Sequence, residues 1–213
     1  MQEVESRGGN HIAVLPKYIV VTQAIGVKGV RYDIRKLKFI GSSGPLTSVL
    51  ALWNATTKGK SIEDMKRIEV VLGASGRSSP TYIIPTLMNN FLGTKFRLVM
   101  GYRTMGTIMN AIEQGEIEGR AADFDGIKVG RPHWLKDNLA TLYVQEGIRR
   151  DKEMPNVPAL IELITNEQDR EIVEFFASAA TLGRIYVAPP DVPADRLDAL
   201  RKGFAAALAD PAY

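Results

Sequence analysis

The chain has no cysteine and only two histidines, His11 and His133. The first absence excludes disulfides, thiolate metal sites and a cysteine nucleophile. The two histidines lie far apart in sequence and neither stands at metal-ligand spacing, so no metal is expected, and no cofactor either. Long apolar runs are missing too: none approaches the ~20 residues that cross a bilayer. The opening Met1-Gln2-Glu3-Val4-Glu5-Ser6-Arg7 lacks an apolar stretch after a basic start and does not read as a signal peptide. The chain is therefore either cytoplasmic or begins after an export signal. Charge of one sign is not in excess. There are 27 basic and 24 acidic residues, a net charge of +3, and the basic residues are scattered rather than clustered as a nucleic-acid surface requires.

What remains is 213 residues, 45% hydrophobic and 24% charged, enough for one large domain or two small ones with a real core. Short apolar runs rich in β-branched residues alternate with amphipathic stretches, the pattern of an α/β protein with a largely parallel sheet. Strands are expected over 11–15, 18–22, 38–42, 49–54, 68–72, 96–100, 117–121, 140–145 and 184–188. Helices are expected from Ser61, over 80–92, 106–114, 158–164, 167–180 and 193–209. Pro80 and Gly93 bracket the second of these, and Asn166 caps the fifth. The middle block reads as a β-α-β-α-β unit. Residues 55–142 are expected to form one inserted lobe, and residues 1–54 with 143–213 the other, joined by crossings like those of a hinged clamshell.

Four polar turns are candidates for a ligand site. Gly73-Ala74-Ser75-Gly76-Arg77-Ser78-Ser79-Pro80-Thr81 follows a strand and leads into a helix. Its glycines allow close backbone approach, and its hydroxyls and helix N-terminus suit an anion. A plain strand-to-helix turn with serine caps is the alternative. Gly101-Tyr102-Arg103-Thr104-Met105-Gly106 has the same setting. In a parallel sheet both turns fall at the carboxyl ends of the strands, where ligands collect. Tyr102 either meets a ligand or packs under its loop. Asp123, after the strand that contains Arg120, either caps a short helix or accepts from a ligand. Ser42 and Ser43, in Gly41-Ser42-Ser43-Gly44-Pro45, either face a ligand from the flanking lobe or form a turn. Ser75, Gly76, Ser78, Ser79, Thr81, Tyr102, Arg103, Thr104, Asp123, Ser42 and Ser43 are thus the candidate ligand-binding residues. No catalytic residue is assigned.

These motifs also form an ordered set. Val30-Arg31-Tyr32-Asp33, Phe39-Ile40-Gly41, the Gly/Ser loop after Val70-Val71-Leu72, and Leu92-Gly93-Thr94-Lys95-Phe96 come first. Gly101-Tyr102, Gly115-Glu116-Ile117-Glu118-Gly119-Arg120, Met154-Pro155-Asn156-Val157-Pro158 and Val187-Ala188-Pro189-Pro190-Asp191-Val192-Pro193 follow. The series resembles the substrate-binding receptors of tripartite tricarboxylate transporters, the Bug or TctC-like family. The resemblance implies a type II periplasmic-binding-protein-like fold, two lobes joined by crossover strands, and a periplasmic receptor that is not an enzyme. It implies a small carboxylate or dicarboxylate ligand and membrane permease subunits as partners, with no nucleic acid and no direct membrane insertion. The turn Arg103-Thr104-Met105-Gly106 departs from the family's usual Gly-Gly pair. The family's first strand and Gly-rich first loop have no counterpart here, and its carboxyl end is normally longer, so the resemblance implies a fragment with lobe one incomplete.

Two other readings stand beside it. Ser75 after a strand, with Asp123 or Asp125 and then His133, follows the chain order of a serine hydrolase, although Arg77 stands where the nucleophile elbow needs glycine. An effector-sensing domain of a transcription regulator shares the clamshell layout, although residues 1–10 are too few for a helix-turn-helix.

Overall fold

The structure is a computed structural model and describes residues 11–211. The expectation that 1–10 holds no leader falls outside these residues. In chain order the elements are β1 (Ala13–Leu15), α1 (Ile19–Ala24), β2 (Lys38–Ser42), β3 (Ser48–Trp53), α2 (Ile62–Arg67), β4 (Glu69–Ala74) and α3 (Pro80–Leu92). Then come β5 (Lys95–Met100), α4 (Met105–Glu113), β6 (Gly119–Asp123), α5 (Phe124–Gly130), α6 (Pro132–Lys136) and β7 (Ala140–Gln145). The chain ends with α7 (Glu167–Ala177), α8 (Ala179–Leu182), β8 (Ile185–Ala188) and α9 (Ala194–Ala209).

The chain divides into two compact units, residues 46–180 and residues up to 45 with those from 181. The sequence reading puts the division at 54/55 and 142/143. It falls elsewhere because β3 and β7 are both strands of the central unit's sheet.

The central unit is built on five strands in the order β5-β4-β6-β3-β7. β5 and β6 run parallel to β4, whereas β3 is antiparallel to β6 and to β7. The sheet is thus mixed, since one strand from outside the β-α-β-α-β run, β3, opposes it, while β7, antiparallel to β3, runs the same way as β4, β5 and β6. Gly119 marks a close approach: a Cβ there would lie 2.3 Å from the Ala51 carbonyl oxygen and 2.9 Å from Leu52 Cα. The core around α4 joins Val49 and Ala51 of β3 to Ile108, Met109 and Ile112 of α4 and to Ile127 and Trp134. Trp134 stacks against Trp53 with ring centroids 5.2 Å apart. The two tryptophans are therefore structural residues of this core.

Helix α3 forms where its boundary signals sit. Ser79 takes extended backbone before it, Pro80 supplies the first-turn proline, and Gly93 closes it at φ 73°. Its face bearing Ile83, Ile84, Leu87 and Met88 is buried.

The flanking unit is a three-stranded sheet in the order β1-β8-β2, every pair antiparallel. α9 covers it with Leu197, Leu200 and Phe204, which pack on Ile40, Ala188 and Val192. Phe204 seats on Gly41, where a Cβ would meet its ring at 2.3 Å.

Two expected elements change. The strand expected over 18–22 is instead the start of α1, with Tyr18 at its N-cap. Local β-propensity loses to a tether from farther along the chain, in which the Tyr32 hydroxyl donates to the Ile19 carbonyl at 3.0 Å and meets Thr22 Oγ1 at 2.7 Å. The expected helix over 158–164 is a single 3₁₀ stretch, Leu160–Leu163. Ahead of it Gln145 Nε2 donates to the Met154 and Val157 carbonyls at 2.9 and 2.6 Å and holds that backbone non-helical.

Candidate ligand-binding site

Because β4, β5 and β6 are mutually parallel neighbours, the three turns that leave them open at one edge of the central sheet. The structure so brings Ser75, Gly76, Ser78, Ser79, Thr81, Tyr102, Arg103, Thr104 and Asp123 to one end of one sheet. Ser42 and Ser43 belong to the flanking unit.

Within the first turn most hydroxyls are already engaged. Thr81 is buried and its Oγ1 accepts the Ser75 amide at 3.1 Å. Ser75 Oγ donates to Ser79 Oγ at 3.1 Å, Ser79 Oγ donates to the Gly76 carbonyl at 2.7 Å, and a close hydroxyl contact joins Ser79 to Thr81. This net folds the turn over the start of α3. Ser78 and Arg77 stay exposed, the latter with its guanidinium 5.8 Å from the Tyr82 ring. Gly76 has open space where a side chain would stand.

The second turn leaves β5 through Gly101 at φ 103°, a conformation that favours glycine. Thr104 caps α4: its Oγ1 accepts the Thr107 amide at 3.2 Å, and Thr107 Oγ1 accepts the Thr104 amide at 3.3 Å. Tyr102 is half-buried against the core, and burial pushes its phenol upward, with the charge of Glu116 adding to the effect. Arg103 is exposed and makes no ion pair among the described residues.

The third turn holds Asp123 at the entry to α5. Its side chain does not cap that helix but accepts the buried Ser48 hydroxyl at 2.7 Å. Beneath it lies Arg120, only 5% exposed. Arg120 pairs in register with Ala51 and points to the α4 side, where Nη1 donates to the Met105 carbonyl at a long 3.4 Å and Nε to the Ala121 carbonyl at 3.1 Å. No carboxylate lies within 4 Å of it among the described residues. Burial pulls its pKa down to about 10, with Asp123 acting from farther off in the opposite sense. The candidate set omits Arg120. The signal that finds it is a charged residue inside the otherwise small-residue strand Gly119-Arg120-Ala121-Ala122.

In the flanking unit, Ser42 Oγ donates to the Leu182 carbonyl at 2.6 Å and accepts the Gly44 amide at 3.3 Å, while the Ser43 amide donates to the Arg184 carbonyl at 3.3 Å. Both serines thus bind within their own unit. His133 lies in neither turn cluster. Its Nε2 meets Glu113 Oε1 at 3.3 Å, beside Arg131 Nε at 2.9 Å and Trp134 Nε1 at 2.7 Å on the same oxygen. Among the described residues no cluster of three or more His, Cys, Asp or Glu stands ready for a metal, and no helix is long and apolar enough to cross a membrane.

Two sheets with this strand order and two chain crossings define the class: the fold is that of the periplasmic binding proteins, type II-like, as the sequence resemblance implies. More narrowly, the matching structures are of Bug and TctC type. One is the periplasmic binding protein BugD, with TM-score 0.72 and 16% identity over 97% of this chain and 66% of that one. Another is MatC from Rhodopseudomonas palustris with bound malate, with TM-score 0.65 and 16% identity over 94% and 64%. A third is a TctC solute-binding protein from Polaromonas, with TM-score 0.60 and 13% identity over 96% and 66%. A further R. palustris structure, at TM-score 0.62 and 13% identity over 87% of this chain and 59% of that one, holds adipate. The chain spans about two thirds of the length of the structures it matches. No family profile matches it, and no curated protein matches its sequence.

Proposed function

We propose that this chain is the ligand-capturing part of an extracytoplasmic solute receptor, which holds a small carboxylate for a tripartite tricarboxylate-type transporter and releases it unchanged. The two units are the lobes of that receptor, and the permease subunits of the transporter are its partners. The observation that carries the reading is the shared edge: three polar turns leave parallel strands side by side, two of them opening helices of nine or more residues. Helix N-termini and free cations attract carboxylates. Exposed Ser78 and Arg103 are the side chains best placed to meet one, while Ser75, Gly76, Ser79, Thr81, Tyr102, Thr104 and Asp123 shape the turns. Ser42 and Ser43 are the flanking unit's candidates. Malate in one structure of this fold and adipate in another support a carboxylate guest.

A receptor without turnover also accords with the hydroxyl net. Ser75 Oγ is bonded to Ser79, and His133 is bonded to Glu113, so neither is arranged as nucleophile and base. Calorimetry of the protein against a panel of mono- and dicarboxylates, with the ligand recovered and checked by NMR, tests the proposal. Saturable binding with unchanged ligand is expected, weakened about tenfold or more by Arg103→Ala and by Ser78→Ala. Unaltered affinity in both variants sinks the site assignment, and ester hydrolysis that disappears in Ser75→Ala replaces the receptor with a hydrolase.

A further inference from the structure

We infer that Arg120 is a specificity-determining residue of this site, whose guanidinium at the amino end of α4 seats the second carboxylate of a doubly charged guest. The inference rests on the carboxylate reading above and adds the group that discriminates a dianion from a monoanion.

Three observations carry it. Arg120 is 95% buried by its 5% exposure, yet no carboxylate lies within 4 Å among the described residues. A guanidinium has five N–H donors, and here only Nε and Nη1 have acceptors, both of them carbonyls. Nη2 has no partner among the described residues, yet it is not sealed away as the unpaired Thr56 Oγ1 is. It therefore touches solvent. Second, the head lies at Met105, the first residue of α4. A cation is unfavourable at the positive end of a helix dipole, and burial compounds the cost. Third, Asp123 lies beyond 4 Å of the guanidinium and acts on it only from farther off, with its Oδ1 accepting the Ser48 hydroxyl at 2.7 Å. A carboxylate placed at this point meets a guanidinium edge and a helix N-terminus together, both of matching sign. A monocarboxylate bound by the outer turns leaves Arg120 unanswered.

The test compares the protein with its Arg120→Met and Arg120→Lys variants by calorimetry, using adipate against hexanoate and malate against 3-hydroxybutyrate, with thermal melts of each apo protein. The native protein is expected to prefer each dicarboxylate over its monoanion by about 30-fold or more. In Arg120→Met the preference falls to near unity while the melting temperature holds or rises, since an isolated buried charge has been removed. Arg120→Lys keeps an intermediate preference. A preference that survives in Arg120→Met overturns the inference and leaves the receptor reading standing. A lowered melting temperature with unchanged preference marks Arg120 as merely structural and overturns it as well. If the native protein takes none of the four acids, the receptor reading fails, and sulfate decides the Arg120 site separately. Stabilisation by sulfate over chloride at equal ionic strength, lost in Arg120→Met, sustains the anion site. Its absence overturns the site too.

Discussion

Removing the Glu113 carboxylate should cost more than removing its charge. Oε1 of this residue accepts from Trp134 Nε1 at 2.7 Å, Arg131 Nε at 2.9 Å and His133 Nε2 at 3.3 Å. Trp134 is fully buried and has no other acceptor for its indole N–H among the described residues. Glu113→Ala therefore strands a buried donor, at about 1–3 kcal/mol, and loses a half-exposed ion pair worth about 0.2–1 kcal/mol. The expected loss is about 1–4 kcal/mol. Glu113→Gln keeps an acceptor for the indole and gives up the charge alone, at about 1 kcal/mol. Urea unfolding followed by tryptophan fluorescence reads both, because Trp134 and Trp53 are in ring contact.

The same experiment has a pH dimension. Burial raises the Glu113 carboxyl, but the Trp134 hydrogen bond, Arg131 and His133 outweigh it, and the net result lies below the usual 4.5. A carboxyl depressed by folding contributes stability that is fully present above its unfolded value and disappears as pH falls through the folded one. The gap between native protein and Glu113→Gln should hold near neutrality and close below about pH 4. Equal losses in Ala and Gln, or a gap that widens on acidification, refute the reasoning.

Gly119→Ala is expected to lose about 3 kcal/mol or more in the same urea assay, because the new Cβ meets the Ala51 carbonyl at 2.3 Å, and backbone cannot move aside as a side chain can. Gly41→Ala drives a Cβ into the Phe204 ring instead, so the cost is about 1–3 kcal/mol and local: limited trypsin digestion should cut at Arg201 or Lys202 of α9 sooner than in the native protein. Thr81→Val leaves the Ser75 amide without its acceptor and should cost about 1–2 kcal/mol, read as faster hydrogen exchange at Ser75.

Local signals wrote much of this fold into the sequence. α3 is readable to the residue because Pro80 and Gly93 punctuate it, and β2 and β7 because apolar runs end at polar turns. The edge that gathers the candidate turns is legible for the same reason, since successive strand-helix units imply parallel neighbours. What sequence hides is partner choice. Ile19-Val20-Val21 favours a strand until Tyr32 reaches back to it, and nothing near β3 or β7 tells that β3 enters the central sheet antiparallel and that β7 pairs with it. Side-chain satisfaction is hidden too: Thr104, Ser79 and Thr81 look available in the sequence, and the structure commits each hydroxyl within its own turn. Arg120 is the converse case. Its strand neighbours are small, and only the register with Ala51 shows that its head emerges on the α4 side.

The two ends of α4 carry charges of the unfavourable sign, and the protein treats them differently. Glu113, an anion in the last turn, sits at the negative end of the helix dipole, but three donors converge on one of its oxygens within 3.3 Å. Arg120, a cation beside the first residue, sits at the positive end with two carbonyls and a carboxylate beyond 4 Å. If both placements served stability alone, the same kind of compensation would be found at each end, since an unpaired buried charge is the costlier of the two. The protein neutralises the structural end from its own side chains and leaves the end that faces the polar turns to be neutralised by something else. That difference between the two ends is the physical basis for placing an anionic group at the start of α4 rather than at its carboxyl end.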